Sequence, residues 1–164
     1  MKDIAAAADM TAGALYHHFN SKQDLFAAVF RRHQDRAFDV LEKAVSKGGS
    51  FIELVSLVLD AAAELHRSDR GLAGFTAVAT IELQRHPELR EIVGDDARAV
   101  YRFFERMLAG TPDEMSADDL GGLVNMFVAM FSGFSIFGGG PRGIAAQLAG
   151  IEAFKRMLAG NLLA

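Results

Sequence analysis

A chain of 164 residues is long enough for one full hydrophobic core and a small appendage. Apolar residues make up 51% of it, which excludes a disordered polypeptide, and no run of about eighteen apolar residues occurs, so neither a membrane span nor a membrane partner is expected. The net charge is −4 and cysteine is absent, which excludes disulfides and thiolate metal sites and, with no secretory signal pattern at the start, fits a cytoplasmic protein.

Three prolines and no strand-like alternation of apolar and polar residues predict an all-α protein without internal repeats. The first segment, Lys2 to Asp9, reads as a short helix with Ile4, Ala5 and Ala8 on one face. Thr11 then caps a second short helix whose first turn, with Gly13 and Ala14, is nearly bare, so its tip can approach a phosphate backbone closely. Tyr16, His17 and His18 follow at successive angles, and Leu15 and Phe19, four apart, define an opposite, buried face. Asn20 and Ser21 stop this helix, and Ser21 caps the next. Two short helices joined by a tight turn make a helix-turn-helix reading.

A long helix is expected from Ser21 to about Val45, roughly 36 Å at 1.5 Å per residue, which suits a link between a head and a separate body. Lys47-Gly48-Gly49-Ser50 ends it, with Ser50 as the next cap. Phe51 to about Ser68 is apolar around most of its circumference and belongs at the centre of the body. Another helix begins at Gly71 and stops near His86, ahead of Pro87. Glu88 to Ala109 is expected as one amphipathic helix with Leu89, Ile92, Val93, Phe103, Phe104 and Met107 inward, and Gly110 to Asp113 as a loop. The helix from about Ala117 to Phe137 carries two apolar faces. Leu120, Leu123, Phe127, Met130, Phe131 and Phe134 suit a core, while Gly122, Met126, Ala129, Gly133 and Ile136 form a second face rich in small residues. Gly138-Gly139-Gly140-Pro141 breaks it. The last helix, Gly143 to about Leu162, repeats the device. Ile144, Leu148, Ile151 and Leu158 make one stripe, and Ala146, Gly150, Ala153 and Met157 make the other. Two consecutive two-faced helices suggest a four-helix interface built by a homodimer; an ordinary buried pair in a monomer is the competing reading.

Ile4-Ala5, Ala8-Asp9-Met10-Thr11, Gly13-Ala14-Leu15-Tyr16, His18-Phe19 and Ser21-Lys22 with Leu25 resemble the N-terminal signature of the TetR family of transcriptional regulators. The resemblance covers about the first thirty residues; the rest agrees in helix layout but carries no motif. In that family a further helix precedes the two-helix unit, so the numbering here is expected to start on the threshold of the family's second helix. Residues 1–164 without that helix are expected to bind DNA weakly. Asp9 stands where the family has Gly, and Asp tolerates the left-handed conformation better than most residues. The resemblance implies that His17 faces a base edge, that His18 and Tyr16 meet phosphate, and that Thr11 and Lys22 bind phosphate beside their structural roles as cap and surface charge. Gly13 and Ala14 belong to the same DNA-binding surface, and the smallness of Ala14 leaves most side-chain specificity to His17.

Residues 1–36 hold five Lys and Arg against four Asp, a net +1, which leaves −5 for the remainder. A DNA-binding head on an acidic body would carry this modest asymmetry. As adjacent helical residues, His17 and His18 point about 100° apart and chelate poorly, so no metal is expected. Arg31, Arg32 and Arg36 read as a solvated face or as steering charge. The rings and thioethers of Phe75, Phe103, Phe104, Met107, Phe127, Met130 and Phe131 read either as core or as the wall of an adaptable pocket, with His66, Thr76, Thr80 and Asn125 as polar handles. The family resemblance implies such a pocket, holding a small apolar effector.

No nucleophile elbow, phosphate-cradling glycine loop or metal-spaced set is present, so no enzyme, catalytic residue or cofactor is expected. The sequence reading is a head with its linking helix over 1–45 and a ligand-binding and dimerisation domain over 46–164. Its function, on the resemblance, is that of a dimeric repressor that binds a palindromic double-stranded DNA operator and is released by its effector. The alternatives are a helical small-molecule carrier or a dimerising scaffold without DNA binding.

Overall fold

The computed structural model describes residues 1–109, 116–137 and 143–161. The expected loops Gly110 to Asp113 and Gly138 to Pro141, and Leu162, lie outside the described residues, as do the side chains of Phe134 and Ile144. Every described element is helical: α1 (Lys2–Ala7), α2 (Ala12–His18), α3 (Lys22–Val45), α4 (Phe51–Ser68), α5 (Arg70–Arg85), α6 (Pro87–Val93), a 3-10 turn (Gly94–Arg98), α7 (Ala99–Ala109), α8 (Ala117–Phe137) and α9 (Gly143–Leu158).

Local chemistry sets the boundaries. The backbone N–H of Asp24 donates to Ser21 Oγ at 3.0 Å and opens α3. Ser50 and Glu53 form a capping box at α4, with the Ser50 N–H donating to Glu53 Oε2 at 2.9 Å. Ser116 accepts from the Asp119 N–H at 3.1 Å and opens α8.

Two boundaries differ from expectation. The single helix expected over Glu88 to Ala109 is broken, because Gly94 takes φ +50 and starts a tight turn. Ile92, expected inward, is exposed, while Leu89 and Val93, four apart on α6, are buried. The last helix ends at Leu158 rather than near Leu162. Gly160 takes φ +73, and the Asn161 N–H donates to the Arg156 carbonyl at 2.8 Å, closing the helix end.

Helix α4 is central, packed against α3, α5 and α9, and it buries eight residues. Leu59 and Val58 of α4, Phe103, Phe104 and Leu108 of α7, and Phe127 of α8 lie in one core. Phe104 stacks on Phe127 with centroids 5.4 Å apart and planes 13° from parallel. Leu41 of α3 belongs to the same core, so the long helix is a wall of the body at its C-terminal end as well as a link. Nearer the head, Ala27 and Phe30 of α3 cluster with Ala79 of α5 and Val93 of α6.

The apolar stripes are not covered along their whole length. In α1 only Ala5 is buried, and Ile4 and Ala8 are exposed. Val29 on α3, Val78 and Ile81 on α5, and Leu148 on α9 are exposed too. Periodicity identifies an apolar face but does not tell which part of it another element covers.

Candidate functional site

The turn between α1 and α2 is held by the backbone. Asp9 takes φ +53, so it adopts the left-handed conformation that the turn requires. The Met10 N–H donates to the Ala5 carbonyl at 2.9 Å. Thr11 accepts the Ala14 N–H on Oγ1 at 3.1 Å and caps α2. Leu15 is buried and anchors α2 from behind. Its opposite side is open: Tyr16 is 54% exposed, and His17 and His18 are exposed with their rings edge-to-face at 5.4 Å. Gly13 is exposed, Ala14 is half-buried, and Lys22, the first residue of α3, is exposed. All seven residues expected at a DNA surface therefore lie on α2, its cap or the start of α3, and the polar side chains among them are accessible.

Arg31 and Arg36, read as a solvated face or as steering charge, are solvent-exposed and also tether α3 to other elements. Arg31 pairs with Asp96 at 2.6 Å and also donates to the Ile92 carbonyl at 3.2 Å. Arg36 pairs with Asp69 at 2.7 Å. Carboxylates distant in sequence met them, which spacing along α3 could not reveal.

A cavity of about 640 Å³ opens between α3, α4, α5, α7 and α8. Its apolar wall includes Phe30, Phe38, Leu41, Phe104 and Val128. His33, His66, Thr76, Thr80 and Asn125 supply polar groups. Thr76 Oγ1 and His33 Nε2 are hydrogen-bonded at 2.8 Å, and Thr80 Oγ1 donates to the Thr76 carbonyl at 2.8 Å. His33 Nδ1 is buried without a partner. Burial foremost, with a smaller push from nearby His66 and an opposing pull from Asp69, lowers the His33 pKa to about 4. Burial also lowers that of His66. The amide nitrogen of Gln147 donates to His66 Nδ1 at 3.2 Å, which places the ring proton of neutral His66 on Nε2.

Of the seven residues expected at an effector pocket, His66, Thr80 and Phe131 line this cavity. Phe103 and Met107 border a separate, shallower depression of about 300 Å³ beside Glu42 and Arg106. Phe127 is core, and Phe75 packs on Phe26 and His33. The sequence assigns α3 to a link and so does not place its residues in the wall; the signal that carries them is the apolar stripe of Phe30, Ala37 and Leu41.

The small-residue faces are open on the described surface. Gly122, Met126, Ala129 and Ile136 of α8, and Ala146, Gly150 and Met157 of α9, are exposed, whereas Gly133 and Ala153 are half-buried. A Cβ placed on Gly122, Gly133 or Gly150 would meet nothing within 4 Å. Ala129, Gly133 and Ile136 also line the cavity, so its open side adjoins this face. Among the described residues no cluster of three or more His, Cys, Asp or Glu is placed to hold a metal, and no helix is long and apolar enough to cross a membrane.

A capped short helix standing out from an α-helical body, with a second short helix set against it through a left-handed turn residue, is a helix-turn-helix DNA-binding head, and it defines a transcriptional regulator. Residues 1–29 match the family model described as "Bacterial regulatory proteins, tetR family", which supports a TetR-family transcriptional regulator. No solved structure matches the chain.

Proposed function

We propose that this regulator is a repressor that binds palindromic double-stranded operator DNA as a homodimer and is released by a small, largely apolar effector. The observation that carries the reading is the accessible face of Tyr16, His17 and His18 on a helix anchored from behind by Leu15. In the dimer, two copies of α2 enter successive major grooves about 34–36 Å apart. His17 reads a base edge, while Thr11, Tyr16, His18 and Lys22 set the register on phosphates and Gly13 and Ala14 permit close approach. Residues 1–45 act as head and linking helix and 46–164 as the ligand-binding and dimerisation part, with α3 shared between them. The open small-residue faces of α8 and α9 support the dimer, because among the described residues nothing lies within 4 Å of a Cβ placed on their glycines. An effector in the 640 Å³ cavity releases DNA by binding better to an arrangement whose heads no longer match the groove spacing. The protein then works in the cytoplasm, where its operator is.

The test is titration of the protein's own promoter fragment with the full-length protein, followed by fluorescence anisotropy at low and moderate salt. Saturable binding to that fragment, outcompeting unrelated DNA, is expected. Equal, purely salt-driven binding to any duplex, or none at low salt, would overturn the proposal.

A further inference from the structure

The wall of the large cavity is one-sided in charge. Among the described residues no Asp or Glu lines it, and the one formally charged residue among them is Arg90 of α6. Arg90 is exposed, which places it at the mouth, and its guanidinium makes no hydrogen bond or ion pair among the described residues. The neighbouring arginines contrast with it. Arg98 pairs with Asp95 at 3.4 Å, Arg102 donates to the Asp95 carbonyl at 3.0 Å, and Arg106 pairs with Glu42 at 3.0 Å. Gln84 and Tyr101 line the same cavity and add neutral donors. Deeper in, Phe104, Leu41 and Ala62 are buried and apolar. The two histidines of the wall are held neutral by burial and supply no second positive charge.

We infer that the cavity takes a molecule with an apolar body and a single carboxylate, the carboxylate paired with the Arg90 guanidinium at the mouth and the body laid against Phe104 and Leu41. The inference rests on the effector reading above and names the effector's chemical class. A guanidinium presents a planar fork of donors that matches a carboxylate, and at the mouth the pair keeps part of its hydration. A carboxylate set deeper would lose its water without a cation to replace it. An amine would find no acidic partner among the described residues of the wall and would meet Arg90 as a like charge.

Isothermal titration calorimetry of the full-length protein with decanoate, decanol and decylamine, each below its aggregation concentration, tests this. Decanoate is expected to bind at least about tenfold more tightly than decanol, a difference of ~1.4 kcal/mol, and decylamine more weakly than either. Arg90→Gln should bring decanoate to the level of decanol and leave decanol unchanged, while Arg90→Lys should retain part of the preference. Equal affinity for decanoate and decanol, tighter binding of decylamine, or a decanoate affinity indifferent to Arg90→Gln would overturn the inference and leave the effector cavity standing. Binding of none of the three would remove the cavity reading itself, and this inference with it.

Discussion

The head and the body are held together in different ways. Across residues 1–20 only Ala5 and Leu15 are buried, whereas α4 alone buries eight side chains. The head depends on local devices: the Thr11 cap, the left-handed Asp9 and the Met10-to-Ala5 hydrogen bond. The body depends on a continuous packed core around Leu59, Phe104 and Phe127. The helix-turn-helix head therefore has the smaller local stability, and the body has the larger one. A rigid body with a lightly held head is suited to converting a small change of shape into a change of head position.

The largest expected effect lies in the body. Phe104 is 1% exposed and stacks on Phe127, so Phe104→Ala should destabilise the protein by about 3–5 kcal/mol in urea unfolding. An effect under about 1 kcal/mol would mean that the core is looser than its packing indicates.

Gly150→Arg breaks the comparison at a different place. A Cβ there meets nothing within 4 Å among the described residues, so the fold should persist by circular dichroism while sedimentation shows monomers. An unchanged assembly state would put the contact between copies elsewhere.

In the head, Thr11→Ala removes one capping bond and should cost about 1 kcal/mol locally. Hydrogen exchange should rise in α2 with little change in the amides of α4, and operator affinity should fall. Equal acceleration in both helices would show that head and body unfold as one unit.

The smallest effect is on acid stability. Burial holds the folded pKa of His33 at about 4, below its ordinary 6.5. The unfolded chain therefore takes up the proton first, and stability should decline as pH falls from 6.5 to about 4, with no further loss from His33 below that. His66, shifted the same way, adds to the decline. His33→Gln should flatten the limb in urea midpoints measured against pH; an unaltered slope would show that other groups set it.

How much of this was legible varies with the range of the forces. Caps at Thr11, Ser21, Ser50 and Ser116 act within a few residues, and each caps the helix that its position in the sequence predicts. Gly94 was just as visible, yet a glycine inside an apolar pattern can continue a helix or break it. The left-handed φ that decides for the break arises where the chain turns from α6 into α7. Phe103 and Phe104 are adjacent and both buried, but only Phe104 reaches the large cavity. Composition cannot separate two such residues, because the difference is the direction from which a third helix arrives.

By itself the sequence determined the helical class, the head with its bare-tipped second helix and the apolar character of the body, because periodicity, capping and turn preference are local properties of the chain. Only the tertiary structure decided which stripes are covered, which arginines are tethered, and where the space between helices remains. Those follow from contacts between residues such as Arg31 and Asp96, or His66 and Gln147, that lie far apart along the chain and meet only once the helices have packed.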